Sequence, residues 1–103
     1  MSPRDSRARG LVYRVEIPPE VADIARDLPP DVKRQIKQAL VYLGKVPEAG
    51  RPLTGELAGL HSYRARRFRI VYHLVESERR VLILHVGHRR TVYEELAKRL
   101  RGQ

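Results

Sequence analysis

Residues 61–75 read HSYRARRFRIVYHLV, and their alternation decides what kind of fold the chain builds. HSYRA (61–65) and FRIVYHLV (68–75) both alternate with a period of two, the mark of half-buried strands. Only Arg66 and Arg67 separate them, so the segment reads as a hairpin with a two-residue turn. That turn sets a register in which Ala65 lies opposite Phe68 and Arg64 opposite Arg69. Tyr63, Ala65, Phe68, Ile70 and Tyr72 then share a core face, while Arg64 and Arg69 stand side by side on the other. Arg-Arg is unusual chemistry for so tight a turn, and a longer loop with offset pairing is the alternative.

Downstream, VLILHV (81–86) is apolar nearly throughout, as in a central strand covered on both faces. Gly87 follows, and then a helix begins: Thr91 and Glu94 have capping-box spacing, and Tyr93, Leu96, Ala97 and Leu100 form an apolar stripe. Upstream, residues 44–59 carry Gly44, Gly50, Gly55, Gly59, Pro47 and Pro52 and read as a loop. Before it, Val32, Ile36, Ala39, Leu40 and Leu43 mark a helix with Asp31 in its first turn and Gly44 as its expected stop. A shorter helix over 19–28 precedes that one across Pro29-Pro30, so the two form an antiparallel pair. Residues 11–17 (LVYRVEI) alternate as a strand with Leu11, Tyr13, Val15 and Ile17 on one face. The order β-α-α-β-β-β-α predicts a small α+β domain: an antiparallel sheet, an N-terminal helical hairpin packed on one face and a short C-terminal helix, with the helices expected on one side. Residues 1–10 (MSPRDSRARG) read as a mobile basic tail and 11–103 as a single domain.

The net charge of +9 is unevenly placed. Residues 1–60 hold ten Lys/Arg against eight Asp/Glu, and residues 61–103 hold eleven against four. Seventeen of the 21 cations are arginine, whose forked donors match phosphate geometry, so the excess points to a local anionic partner. A solvated basic surface is the plain alternative. With no cysteine there is no disulfide framework, no Cys-ligated zinc and no thiol nucleophile. His61, His73 and His85 are scattered without ligand spacing or an acidic companion, so no metal site and no cofactor are expected. Nothing approaches a membrane span or a secretory signal, and a cytoplasmic location is expected.

Two clusters carry candidate chemistry. Arg64 and Arg69, directly opposed on a sheet, repel by a few tenths of a kcal/mol or more, a cost readily accepted where an anion bridges them. Otherwise they are simply solvated. Gly87-His88-Arg89-Arg90-Thr91-Val92-Tyr93 leaves a strand and enters a helix N-terminus, where free N–H groups attract anions. Tyr93 either stacks on a base or packs as a half-buried core tyrosine. His88 is either an acid or base near neutral pH or a spectator among arginines. No phosphate-cradling glycine loop is present, and no carboxylate pair lies near these clusters, so any phosphoryl chemistry would run on positive charge without a metal.

The element order, the segment Tyr63-Arg64 … Phe68-Arg69-Ile70-Val71-Tyr72 and the closing Val86-Gly87-His88-Arg89-Arg90-Thr91-Val92-Tyr93 resemble the RelE/ParE superfamily of toxin–antitoxin toxins, over roughly residues 11–100. In its RelE branch the resemblance implies a ribosome-dependent mRNA endoribonuclease, in which a ribose 2′-hydroxyl attacks the neighbouring phosphorus. Carried over by position, Arg64, Arg69 and Arg89 are the charge-stabilising groups and Tyr93 the aromatic against the displaced nucleotide. Arg66, Arg67 and Arg90 are expected on the RNA backbone. Where the pattern often has a lysine, this chain has Arg64, which essentially never releases a proton. Ser62 replaces a second basic residue two positions upstream. The proton transfer then falls to His88 or to charge activation of the 2′-hydroxyl alone. The resemblance also implies a cognate antitoxin covering the helices and the basic sheet face, with ribosome-bound mRNA as substrate. The ParE branch implies instead an inhibitor that binds DNA gyrase, and a third possibility is a member that keeps only its antitoxin.

Overall fold

The computed structural model describes residues 12–102; the proposed tail over residues 1–10 lies outside them, as does Leu11. In chain order the elements are β1 (Arg14–Glu16), α1 (Pro19–Arg26), α2 (Pro30–Lys45), β2 (Arg51–Pro52), β3 (His61–Ala65), β4 (Phe68–Val75), β5 (Arg80–His88) and α3 (Val92–Gly102). The hairpin forms in the expected register, Ala65 against Phe68 and Arg64 against Arg69, with Arg66-Arg67 as the turn. Arg66 meets the turn's demand by taking a positive φ of 57°.

The five strands run β1-β5-β4-β3-β2, so β5 is central as its apolar run predicts. β3, β4 and β5 form the antiparallel meander, but β1 joins β5 in parallel, which makes the sheet mixed. β1 ends at Glu16, short of the expected Ile17, because Pro18 and Pro19 turn the chain into α1, and Ile17 stays exposed. The loop over 44–59 contains a two-residue strand, β2, pairing Arg51 with Ser62 and Pro52 with His61.

The helices do not share one side of the sheet. Val21, Ile36, Ala39 and Leu43 of α1 and α2 pack on Ala65, Ile70, Tyr72, Val81, Ile83 and Val86. Val92, Leu96 and Ala97 of α3 pack with Val71 and Leu57 on the opposite face. Both sides are needed because β4 and β5 are apolar on both: Ile70, Val71 and Tyr72 are all fully buried.

Two local features set these faces. Leu84 has no partner on β4, since Val71 pairs with His85 and Tyr72 with Ile83. This bulge turns Leu84 and His85 toward the same side, that of α3, and reverses the alternation of every later residue of β5. Gly44 does not stop α2, which runs on to Lys45. A Cβ on Gly44 would sit 3.2 Å from the Tyr13 carbonyl oxygen, and the Gly44 carbonyl accepts the Tyr13 N–H at 2.7 Å. The glycine lets β1 approach the helix. Among the described residues no helix is long and apolar enough to cross a membrane.

Candidate active site

Alternation on β3 and β4 sends Ser62, Arg64 and Arg69 to the face that α3 covers only in part. Arg51 is paired with Ser62 and shares that face. Tyr93 comes over from the first turn of α3. Arg51, Ser62, Arg64, Arg69 and Tyr93 line one open concavity of about 380 Å3, with no carboxylate in its lining. Arginines from three strands thus line one depression large enough for a nucleotide fragment. Arg51 was hidden in the sequence, because a two-residue strand inside a Gly/Pro-rich loop has no periodicity to read.

Three of the five side chains are held by hydrogen bonds, while Arg51 and Arg64 are exposed. The Arg69 guanidinium donates from one nitrogen to the carbonyls of Arg66 and Phe68, both at 2.9 Å, which staples the turn and leaves its other donors free. The Tyr93 and Ser62 hydroxyls are hydrogen-bonded at 2.8 Å. Tyr93 is therefore half-buried and site-lining at once, so the two sequence readings of it are not exclusive.

The supports lie one layer back. Tyr72, fully buried, donates its hydroxyl to the Pro47 carbonyl at 2.6 Å and accepts the Gly50 N–H at 2.9 Å, pinning the chain just before Arg51. Burial raises the phenol's pKa. Gly50 is required here, since a Cβ would fall 2.5 Å from that hydroxyl oxygen. On β5, His85 does have an acidic companion. Its Nε2 lies 3.1 Å from Glu95 Oε1, and Arg99 donates to its Nδ1 at 2.6 Å and to the Leu84 carbonyl at 3.0 Å. Because arginine only donates, Nδ1 is the acceptor and the neutral ring carries its proton on Nε2, toward Glu95. From the first turn of α3, Glu95 thus clasps the helix to the sheet. Gly87 lets the start of α3 close in, because a Cβ there would meet Glu95 Oε1 at 2.9 Å and Val92 at 3.3 Å.

The second cluster is separate from the first. His88 pairs with Phe68, on the side of the helical hairpin, while Arg69 pairs with Gly87 on the side of α3. His88, Arg89 and Arg90 line, with Arg67, a depression of about 340 Å3 at the end of the sheet. The Arg89 N–H donates to the Arg67 carbonyl at 2.7 Å, tying this segment to the hairpin turn. The Arg90 N–H donates to His88 Nδ1 at 3.2 Å, so the neutral ring of His88 offers a donor, not a free base. Of the residues expected at one centre, the fold gathers Arg64, Arg69 and Tyr93, and holds His88 and Arg89 around the sheet end with Arg90. Arg66 is exposed at the turn between them. Among the described residues no group of three or more His, Asp or Glu side chains is arranged to hold a metal ion.

The family model for the ParE toxin of the type II toxin-antitoxin system, parDE, matches residues 20–93. Toxin RelE of Mycobacterium tuberculosis is 41% identical over 44 residues, 43% of this chain and 45% of that protein, so the match spans less than half of the relative's length. A chain of the RelBE2 toxin–antitoxin complex from the same organism superposes with a TM-score of 0.71 at 30% identity, covering 76% of this chain and 99% of that one. A doubly substituted E. coli toxin RelE in the free state gives 0.69 at 26% identity, covering 86% and 98%.

Proposed function

Because the chain belongs to the ParE toxin family of the RelE/ParE superfamily, we propose that it is the toxin of a toxin–antitoxin pair and acts as a ribosome-dependent mRNA endoribonuclease. The observation that carries this reading is the concavity in which Arg51, Arg64 and Arg69 meet Tyr93 without an opposing carboxylate. The substrate's 2′-oxygen forms a bond to phosphorus as the bond to the 5′-oxygen breaks, leaving a cyclic phosphate and a 5′-hydroxyl. Negative charge grows on the phosphoryl oxygens, where guanidinium groups stabilise it, and Arg69 is already fixed by its bonds to the turn. Losing one such donor costs about 2.7–4 kcal/mol of barrier in comparable sites. None of the three arginines exchanges protons near neutral pH. The 2′-hydroxyl is therefore activated by the surrounding charge and loses its proton to water. The departing 5′-oxygen takes its proton from water, and Tyr93 packs against the displaced nucleotide. Arg66, Arg67, Arg89 and Arg90 hold the flanking backbone.

For the antitoxin we assign a different surface. Between β1 and α2 an apolar groove of about 400 Å3 is lined by Val12, Val15, Ile17, Leu40 and Val41 and flanked by Lys37 and Lys45. Val12, Ile17 and Val41 are each about half exposed, at 53%, 45% and 58%. An amphipathic segment with acidic edges suits such a groove.

Controlled expression with mapping of cellular mRNA ends tests the activity. New 5′-hydroxyl ends inside coding regions, lost in Arg64→Ala and Arg69→Ala, are the expected result. Intact mRNA with accumulating cleaved gyrase–DNA complexes would instead assign the chain to gyrase inhibition, the reading that the ParE family match favours.

A further inference from the structure

Ser62 lies in the middle of the arginine concavity. Arg51 pairs with it from β2, Arg64 follows two residues along β3 on the same face, and Arg69 stands diagonally across on β4. Neighbours of this kind on one face of a sheet are about 4.5–8 Å apart, so an anion that all three arginines reach lies over Ser62. Resting on the nuclease reading above, we propose that Ser62 is a further catalytic residue. Its hydroxyl donates a hydrogen bond to a phosphoryl oxygen of the reacting group, and the Tyr93 hydroxyl, donating to Ser62 in turn, polarises it for that task.

The direction of the hydroxyl pair follows from its chemistry and its surroundings. The two oxygens are 2.8 Å apart, and each carries one proton to donate. Ser62 is only 6% exposed, and among the described residues its hydroxyl has no partner but Tyr93. A phenol is the stronger donor of the two and an aliphatic hydroxyl the better acceptor, so Tyr93 donates and Ser62 accepts. The serine proton is then free to turn into the concavity. A hydroxyl that accepts one hydrogen bond donates the next one more strongly, above all where little water reaches it.

A short neutral donor suits this position. A cation at residue 62 would stand directly opposite Arg51 and repel it, whereas a hydroxyl adds a donor without adding charge. Its single side-chain torsion loses little freedom when an anion binds, unlike the long exposed side chains of Arg51 and Arg64. Neither hydroxyl gives up its proton. The 2′-oxygen bonds to phosphorus and the 5′-oxygen leaves as described above, while the bond from Ser62 tightens as charge grows on the phosphoryl oxygen. Only the hydroxyl of Tyr93 is engaged in this way, and its ring stays available to the displaced nucleotide.

Single-turnover cleavage of mRNA on programmed ribosomes by the intact chain tests the assignment. Ser62→Ala should slow cleavage about 10–100-fold, the worth of one hydrogen bond to a charged group. Its affinity for uncleavable 2′-O-methyl RNA should be unchanged, because the bond is made fully only in the transition state. Tyr93→Phe keeps the ring and should cost less than Ser62→Ala, and nothing further when Ser62→Ala is already present. Uridine–vanadate, whose five-coordinate centre mimics the transition state, gives a readout without ribosomes and should bind Ser62→Ala about 10–100-fold more weakly. A parental rate in Ser62→Ala, or a loss of 2′-O-methyl RNA affinity equal to the loss of rate, would overturn the proposal; the second result marks a residue that merely holds the Tyr93 ring. Fully additive losses, or a larger loss from Tyr93→Phe than from Ser62→Ala, would overturn it too. The unsubstituted chain separates the two readings. If it does not cleave, the nuclease reading falls and takes this one with it, whereas cleavage undiminished in Ser62→Ala removes Ser62 alone.

Discussion

Arg66 and Arg51 show how single residues serve this surface in different ways. Arg66 sits at a φ of 57°, where an L side chain crowds its own carbonyl at a cost of about 1–2 kcal/mol. Glycine adopts that conformation freely but carries more entropy in the unfolded chain, so Arg66→Gly should stabilise by about 0.5–1 kcal/mol net. A thermal melt should show the midpoint rising by a few degrees, and an unchanged or lower midpoint would remove the strain argument. That a strained arginine occupies the turn fits a role for its charge. Arg51 contributes no comparable fold feature: it is exposed, and its side chain reaches the concavity from a strand of two residues. Arg51→Ala should lower mRNA cleavage about 10²–10³-fold, as expected for one charge-stabilising donor, with the melt unchanged. Cleavage at the level of the unsubstituted chain would leave Arg64 and Arg69 as the only charge-stabilising pair.

At the scale of elements, the site depends on two attachments. The first is the Tyr72 phenol, which ties the chain at Pro47 and Gly50 to the sheet. Tyr72→Phe leaves a buried N–H and a buried carbonyl short of a partner and should cost about 1–3 kcal/mol in a denaturant titration. The pH dependence has a definite sign. Burial lifts the phenol's pKa in the folded chain above the ordinary 10.0, so the folded state holds its proton more tightly than the unfolded state. The contribution is complete below pH 10.0 and is lost as pH rises through the folded value. The difference between the parent and Tyr72→Phe should therefore be constant at neutral pH and shrink above pH 10.0. A difference that grew there would contradict the burial account. The second attachment is the clasp of Glu95 and Arg99 on His85, which fixes α3 and with it Tyr93. Arg99→Ala should raise amide exchange along α3 while β4 and β5 stay protected.

The same scale explains what could be read in advance. The hairpin register, the core face of Tyr63, Ala65, Ile70 and Tyr72, and the gathering of Arg64 with Arg69 all follow from period-two alternation and a two-residue turn, which are local. The placement of His88 does not. Counting along β5 from Val81 and Ile83 puts His88 on the face of Arg64, and only the bulge at Leu84 sends it to the other side. No residue near Leu84 announces that bulge, because it forms where β4 and β5 meet the cores on both faces. Arg51 and the clasp on His85 were hidden for a similar reason: each depends on a contact distant in sequence, Arg51 with Ser62 and His85 with Arg99.

For the whole molecule, the separation of the two cationic clusters turns a point site into a track. The last 43 residues hold eleven of the 21 Lys and Arg, and the fold distributes six of these eleven around one end of the sheet: Arg64, Arg66, Arg67, Arg69, Arg89 and Arg90. A track binds several phosphates at once, and each neutralised phosphate on a single strand contributes about −0.7 to the slope of log K against log salt. Engagement of the concavity and the sheet-end depression together implies about three phosphates and a slope near −2 for a short single-stranded RNA. Removing Arg89 and Arg90 together should weaken binding of every sequence alike and flatten that slope by about one, because on the proposed reading those residues meet backbone and not bases. Their removal should leave the affinity for a lone nucleotide in the arginine concavity unchanged, since that depression is lined by other residues. A slope unaltered by the double substitution would mean that the strand leaves the protein before the sheet end, and the continuous track around the hairpin turn would be lost with it.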